Sequence, residues 1–84
     1  MLQEIMDAYP DLTFLKADGF DDCVIGVDMV SSSPRLIYSV TKVINKLVDS
    51  DGMTYEEAIE HYEYNIAGSH VGEQTPIWCS DDFH

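Results

Sequence analysis

Positive charge is the scarcest commodity in this chain: four Lys and Arg residues stand against sixteen Asp and Glu, for a formal net charge of −12. That balance excludes nucleic-acid binding through a basic surface and opposes attachment to anionic lipid. Long hydrophobic runs are also missing, and no stretch approaches the ~18–20 apolar residues that a membrane-spanning helix needs. The opening Met1-Leu2-Gln3-Glu4-Ile5 has neither a basic nor an apolar signal region, so no secretory leader is expected. Cysteine is limited to Cys23 and Cys79, with no CxxC pair, which excludes a disulfide-dense scaffold or a zinc ribbon. Both are read as reduced thiols of a cytoplasmic protein, with Cys23 in an apolar run and therefore in the core. Repeats and long linkers are absent as well. One small domain, 1–84, is expected, with a frayed tail at 79–84; a multi-domain enzyme is excluded.

What the chain does contain is a 45% apolar fraction, enough for a core. Leu2, Ile5, Met6 and Tyr9 fall at helical spacing ahead of Pro10 and predict a short first helix. Residues 11–16 read as a turn with room for a short strand, and 18–22 as a carboxylate-rich turn. Cys23 to Val30, CVIGVDMV, reads as a strand with Gly26 marking a bulge or a close backbone approach. The loop Ser31-Ser32-Ser33-Pro34 and a second strand, Arg35 to Tyr38, complete an antiparallel hairpin. Val40, Val43, Ile44, Leu47 and Val48 form the stripe of an amphipathic helix, capped by Ser39 or Thr41 and ended by Gly52.

Thr54 and Glu57 are spaced as a capping box. The helix they open carries Tyr55, Ala58, Ile59, Tyr62 and Ile66 on its core face and ends near Gly68. Thr75 to Cys79 reads as a third strand, with Trp78 assigned to the core. The element order is α-β-β-α-α-β, an α+β fold with a three-stranded, mainly antiparallel sheet covered by helices.

The carboxylates are clustered. Asp18, Asp21 and Asp22 share one turn, Asp49 and Asp51 close the central helix, and Glu56, Glu60 and Glu63 recur at i, i+4, i+7 on the next. Members of that stripe are spaced ~5–6 Å along a helix axis, wider than the ~3.4 Å between phosphates on one DNA strand. Mimicry of a phosphate backbone therefore needs several patches on one side. The bland alternative is a solvated helix face whose first-turn acids suit the macrodipole. Tyr64 lies off the apolar face beside Glu60 and Glu63, the setting of an interface anchor.

Other chemistries fit poorly. Asp49-Ser50-Asp51-Gly52 resembles part of an EF-hand loop, but Leu47 and Ala58 stand where its end carboxylates belong. His61, His70 and His84 make no HxxxH pair, and neither a GxSxG elbow nor a phosphate-cradling loop occurs. No catalytic residue, cofactor or metal is assigned.

The runs Asp18-Gly19-Phe20-Asp21-Asp22 to Gly26, Asp51 to Ala58, and Asn65, Gly68, Gly72, Thr75-Pro76-Ile77 together resemble small acidic proteins of tailed bacteriophages. The resemblance implies an interaction protein rather than an enzyme. Such a protein would inhibit a host nucleic-acid-handling protein or complex in the bacterial cytoplasm, in the manner of an anti-CRISPR or a nucleic-acid mimic. Its partner would be a basic protein surface, with no direct contact to nucleic acid or membrane, and a homodimer is compatible with it. The partner-binding residues would be Asp18, Asp21, Asp22, Glu56, Glu60, Glu63 and Tyr64. The alternatives are a small-ligand or metal-binding module using the 18–22 turn and His61 or His70, and a homo-oligomeric assembly protein.

Overall fold

The computed structural model describes residues 1–17, 19–30, 33–66 and 75–81. Helix α1, Leu2–Ala8, stops before Pro10 and buries Leu2 and Ile5, while Met6 and Tyr9 remain at the surface. After the segment that follows Pro10, a single 3₁₀ turn, Asp21–Cys23, leads into β1, Val24–Asp28. Strand β2, Arg35–Ser39, runs antiparallel to β1, with a bulge between Val24 and Gly26. The bulge is the reason for the glycine-interrupted pattern; no close approach is involved, because a Cβ at Gly26 would meet Ile37 Cδ1 at an ordinary 3.9 Å.

Helix α2, Val40–Asp51, follows β2 without a loop. Ser39 ends the strand and caps the helix, its Oγ accepting from the Lys42 N–H at 3.1 Å. Gly52 ends α2 at φ +70°, the left-handed conformation that glycine adopts at least cost. Thr54 and Glu57 form the expected capping box of α3, Tyr55–His61, with reciprocal bonds of 3.0 and 3.1 Å. The Glu57 carboxyl lies below its usual range because the Thr54 backbone N–H donates to it.

At Tyr62 the helix widens into a π-helical turn, Tyr62–Ile66. The expected end near Gly68 and most of the Asn65–Pro76 loop lie outside the described residues. Strand β3, Ile77–Cys79, pairs with β2 in parallel, giving the order β1-β2-β3. The α+β class agrees with the sequence reading and the element order matches it in part: a 3₁₀ turn and a π-helical turn are added, and the sheet is mixed rather than mainly antiparallel. The long connection through α2 and α3 permits either direction for β3, so strand spacing alone does not decide it.

The core is centred on β2. Leu36 and Tyr38 have no exposed surface, and Cys23, Val24, Val43, Leu47 and Ala58 close around them. Burial, reinforced by the neighbouring Asp22 charge, pushes the Cys23 thiol up to about 11. Tyr38 keeps its polar end satisfied: its hydroxyl accepts from the Ala17 N–H at 2.8 Å, tying Ala17 to the sheet. Trp78 is half-buried, tilted against Tyr38 at 5.1 Å and edge-on to Tyr62 at 5.8 Å between ring centroids.

Cys79 and Asp81 of the expected 79–84 tail make defined contacts with the rest of the fold. Cys79 belongs to β3, and Asp81 Oδ1 accepts from the buried Ser39 hydroxyl at 2.7 Å. One side chain thus joins the end of β2, the start of α2 and the segment after β3.

A candidate interaction face on the third helix

Helix α3 is flanked by two clefts. One, of about 330 Å³, lies between α2 and α3; Val40, Ile44, Ile59 and Tyr62 supply apolar surface, while Thr41, Asn45, Tyr55, Glu63 and Ser80 complete the lining. The other, of similar volume, is bounded by Met53, Glu57, Glu60, His61, Tyr64 and Asn65. Ala58, fully buried on α3, is small enough to let the helix approach the core closely.

The sequence places Tyr55 in the core, yet its ring is 64% exposed. Helical side chains tilt toward the N-terminus. A ring in the first turn therefore overhangs the start of the helix instead of packing beneath it. Tyr62, one turn further in, does pack, and its hydroxyl is held protonated above the usual range by burial, with the Glu63 carboxylate adding to the effect. Tyr64 is 81% exposed, in keeping with its position off the apolar face.

Glu56, Glu60 and Glu63 are all exposed, and the helix changes phase between Glu60 and Glu63. The π-turn closes with i→i+5 geometry, so the α-helical phase is lost after His61. Glu60 and Tyr64 share the outer cleft, Glu63 borders the α2 cleft, and Glu56 lines neither. The His61–Asn65 contact, 3.3 Å between Nδ1 and Nδ2, spans the junction.

The turn before β1 is a different environment. Asp22 sits 2.8 Å from the Lys46 ammonium, which holds its carboxyl below the usual carboxylate range and raises the lysine in return. Asp22, Lys42, Lys46 and Asp49 border a third cleft, against α2. Part of this patch is therefore spent on an internal ion pair. Asp21 is exposed nearby, and Asp18 lies outside the described residues. None of these three clefts contains members of both the Asp21–Asp22 patch and the glutamate group.

A further signal is present in the sequence but easily missed by counting patches: Lys46 is the last Lys or Arg, and 47–84 contain none. The fold turns that asymmetry into geography. Lys42 and Lys46 border one side of α2, while the α3 side presents carboxylates without a lysine or arginine of its own.

Among the described residues no group of three or more His, Cys, Asp or Glu is arranged to hold a metal ion. No described helix is long and apolar enough to cross a membrane. Comparison with protein-family profiles, curated proteins and solved structures finds no match to this chain.

Proposed function

We propose that this chain is an interaction protein that docks the acidic face of α3 and its π-turn on a basic surface of another protein. That surface is one that ordinarily binds nucleic acid, so docking inhibits its owner. The bacterial identity of that partner is carried by the phage-type sequence resemblance alone. The observation that carries the docking itself is the placement of Glu60 and Glu63. Glu56 and Glu57 lie in the first turn of α3, where negative charge is favourable and Glu57 completes the cap. Glu60 and Glu63 lie beyond that first turn, where the macrodipole no longer favours negative charge. Glu60 also stands four residues from Glu56 and three from Glu57 and Glu63, spacings at which like charges repel. Local stability gains nothing from these two acids, whereas a cationic partner would. Charge of one sign on one face also accelerates encounter with such a partner, and the exposed Tyr64 beside Glu60 supplies an anchor.

The test compares the chain with an E56Q/E60Q/E63Q variant as bait in a bacterial lysate, at low and high salt, with mass spectrometry of the retained proteins. The expected result is a nucleic-acid-handling protein held by the parent chain, lost with rising salt, displaced by added DNA or RNA, and weakly held by a variant at least as stable. Equal retention by both chains, or no salt-sensitive partner, would overturn the reading.

A further inference from the structure

The cleft between α2 and α3 combines an apolar floor, the polar side chains of Thr41 and Asn45, an exposed aromatic ring and a carboxylate with no ion-pair partner among the described residues. Val40, Ile44 and Ile59 form the floor, and Tyr55 and Glu63 border it. Its ~330 Å³ sits at the small end of the range for ligand pockets. That is space for one long side chain with its waters rather than for a cofactor. No Lys or Arg lines it; Lys42 and Lys46 line the cleft against the 3₁₀ turn instead. The electrostatic complement it lacks is therefore a cation with an apolar stem.

We propose that this cleft receives an arginine side chain from the partner polypeptide, its stem running past the Tyr55 ring along the Val40–Ile44–Ile59 floor and its guanidinium at the Glu63 carboxylate. The inference rests on the acidic-face reading above and names the chemical group that this face selects. Arginine is favoured over lysine on three grounds. Its head is planar and delocalised, is weakly hydrated and so tolerates an apolar floor, and offers several donors in one plane to a carboxylate. Lysine would bring the same charge as a compact, strongly hydrated ammonium. An exposed tyrosine ring at the start of a helix otherwise has no evident role in this fold, and the site gives it one. Ser80, held in place through the neighbouring Asp81–Ser39 bond, forms part of the wall and links the cleft to the end of β3.

The test uses the full chain, isotopically labelled, titrated at low salt with three synthetic Gly-Ser peptides. They carry four arginines, four lysines or four citrullines at the same positions, and amide NMR shifts report the binding site. The arginine peptide is expected to shift Ile44, Tyr55, Ile59 and Glu63 together and to bind more tightly than the lysine peptide. The citrulline peptide should not bind. Y55L and E63Q, both at exposed positions, are each expected to weaken the arginine peptide about three- to five-fold, with E56Q weaker in effect. The fold of each variant is checked from its own spectrum. If the arginine peptide binds but Y55L is silent and E56Q, E60Q and E63Q cost the same, the cleft proposal is overturned while the acidic-face reading stands. If neither cationic peptide binds, both fall. Shifts at Tyr55 and Glu63 that depend on protein concentration without peptide would assign the cleft to a second copy of the chain and overturn the arginine proposal.

Discussion

Replacing Ser39 by Ala should destabilise the fold far more than its small size implies. The residue has no exposed surface, ends β2, caps α2 and donates to Asp81. Loss of an N-cap oxygen costs about 1 kcal/mol, within a range of 0.5–2. The bond to Asp81 is charge-assisted, for which ~1.5–3 kcal/mol is usual, but the Asp81 carboxylate is exposed and regains water, so about 1 kcal/mol is the better figure. The sum is ~2 kcal/mol. With an unfolding entropy of ~2.1 cal/mol/K per residue over 84 residues, that lowers Tm by roughly 11 °C. Circular dichroism melts and urea titrations of the parent chain, S39A, D81N and the double variant measure it. D81N should cost less than S39A, since the Lys42 cap survives. The double variant should fall short of the sum of the two, because both delete one shared bond. A loss under 0.5 kcal/mol for S39A, or D81N as damaging as S39A, would refute the assignment of Ser39 as the joint between these three segments.

Two further outcomes follow from the same core. A thiol reagent at pH 8 should label half-buried Cys79 rapidly and Cys23 only as fast as the fold opens. Because the folded Cys23 thiol keeps its proton to about pH 11 while an unfolded one loses it near 9, stability should fall as pH rises through that window, by at most ~1.4 kcal/mol per pH unit from this group. In a C23A background that alkaline slope should shrink in urea titrations at pH 8 and 10; an unchanged slope would remove Cys23 as its source. Gly52→Ala places a side chain at φ +70° and should cost about 1 kcal/mol in a thermal melt without disturbing any neighbour, since open space surrounds the position; a gain in stability would contradict the left-handed cap.

Where local rules govern, the sequence was legible. The Thr54–Glu57 box, the Gly52 stop and the Val43-Ile44-Leu47 stripe are each decided by residues within one or two turns, and the structure has them where spacing put them. Direction of pairing is a global property, so nothing in Ile77-Trp78-Cys79 could say that it runs parallel to β2. Tyr55 misled because an ideal helical wheel ignores the N-terminal tilt of side chains. The π-turn at Tyr62, which falls between Glu60 and Glu63, is equally invisible to a wheel that assumes an α-helical phase. The partial neutralisation of the 18–22 patch needed the distance from Asp22 to Lys46, a contact between residues far apart in the chain.

The central place of β2 also bears on the order in which the molecule can assemble. Its antiparallel neighbour is reached across positions 29–34, its parallel neighbour only across 40–76. Before any helix forms, closing a loop roughly six times longer costs about 1.6 kcal/mol more in chain entropy, and distant pairings of this kind slow folding. The hairpin is therefore expected first and β3 last. Until β3 arrives, the outer edge of β2 is a bare template and Tyr38 lacks the cover of Trp78. A chain cut after Ile66 would be fixed in that state, and it should self-associate through the open strand rather than persist as a smaller version of the same fold.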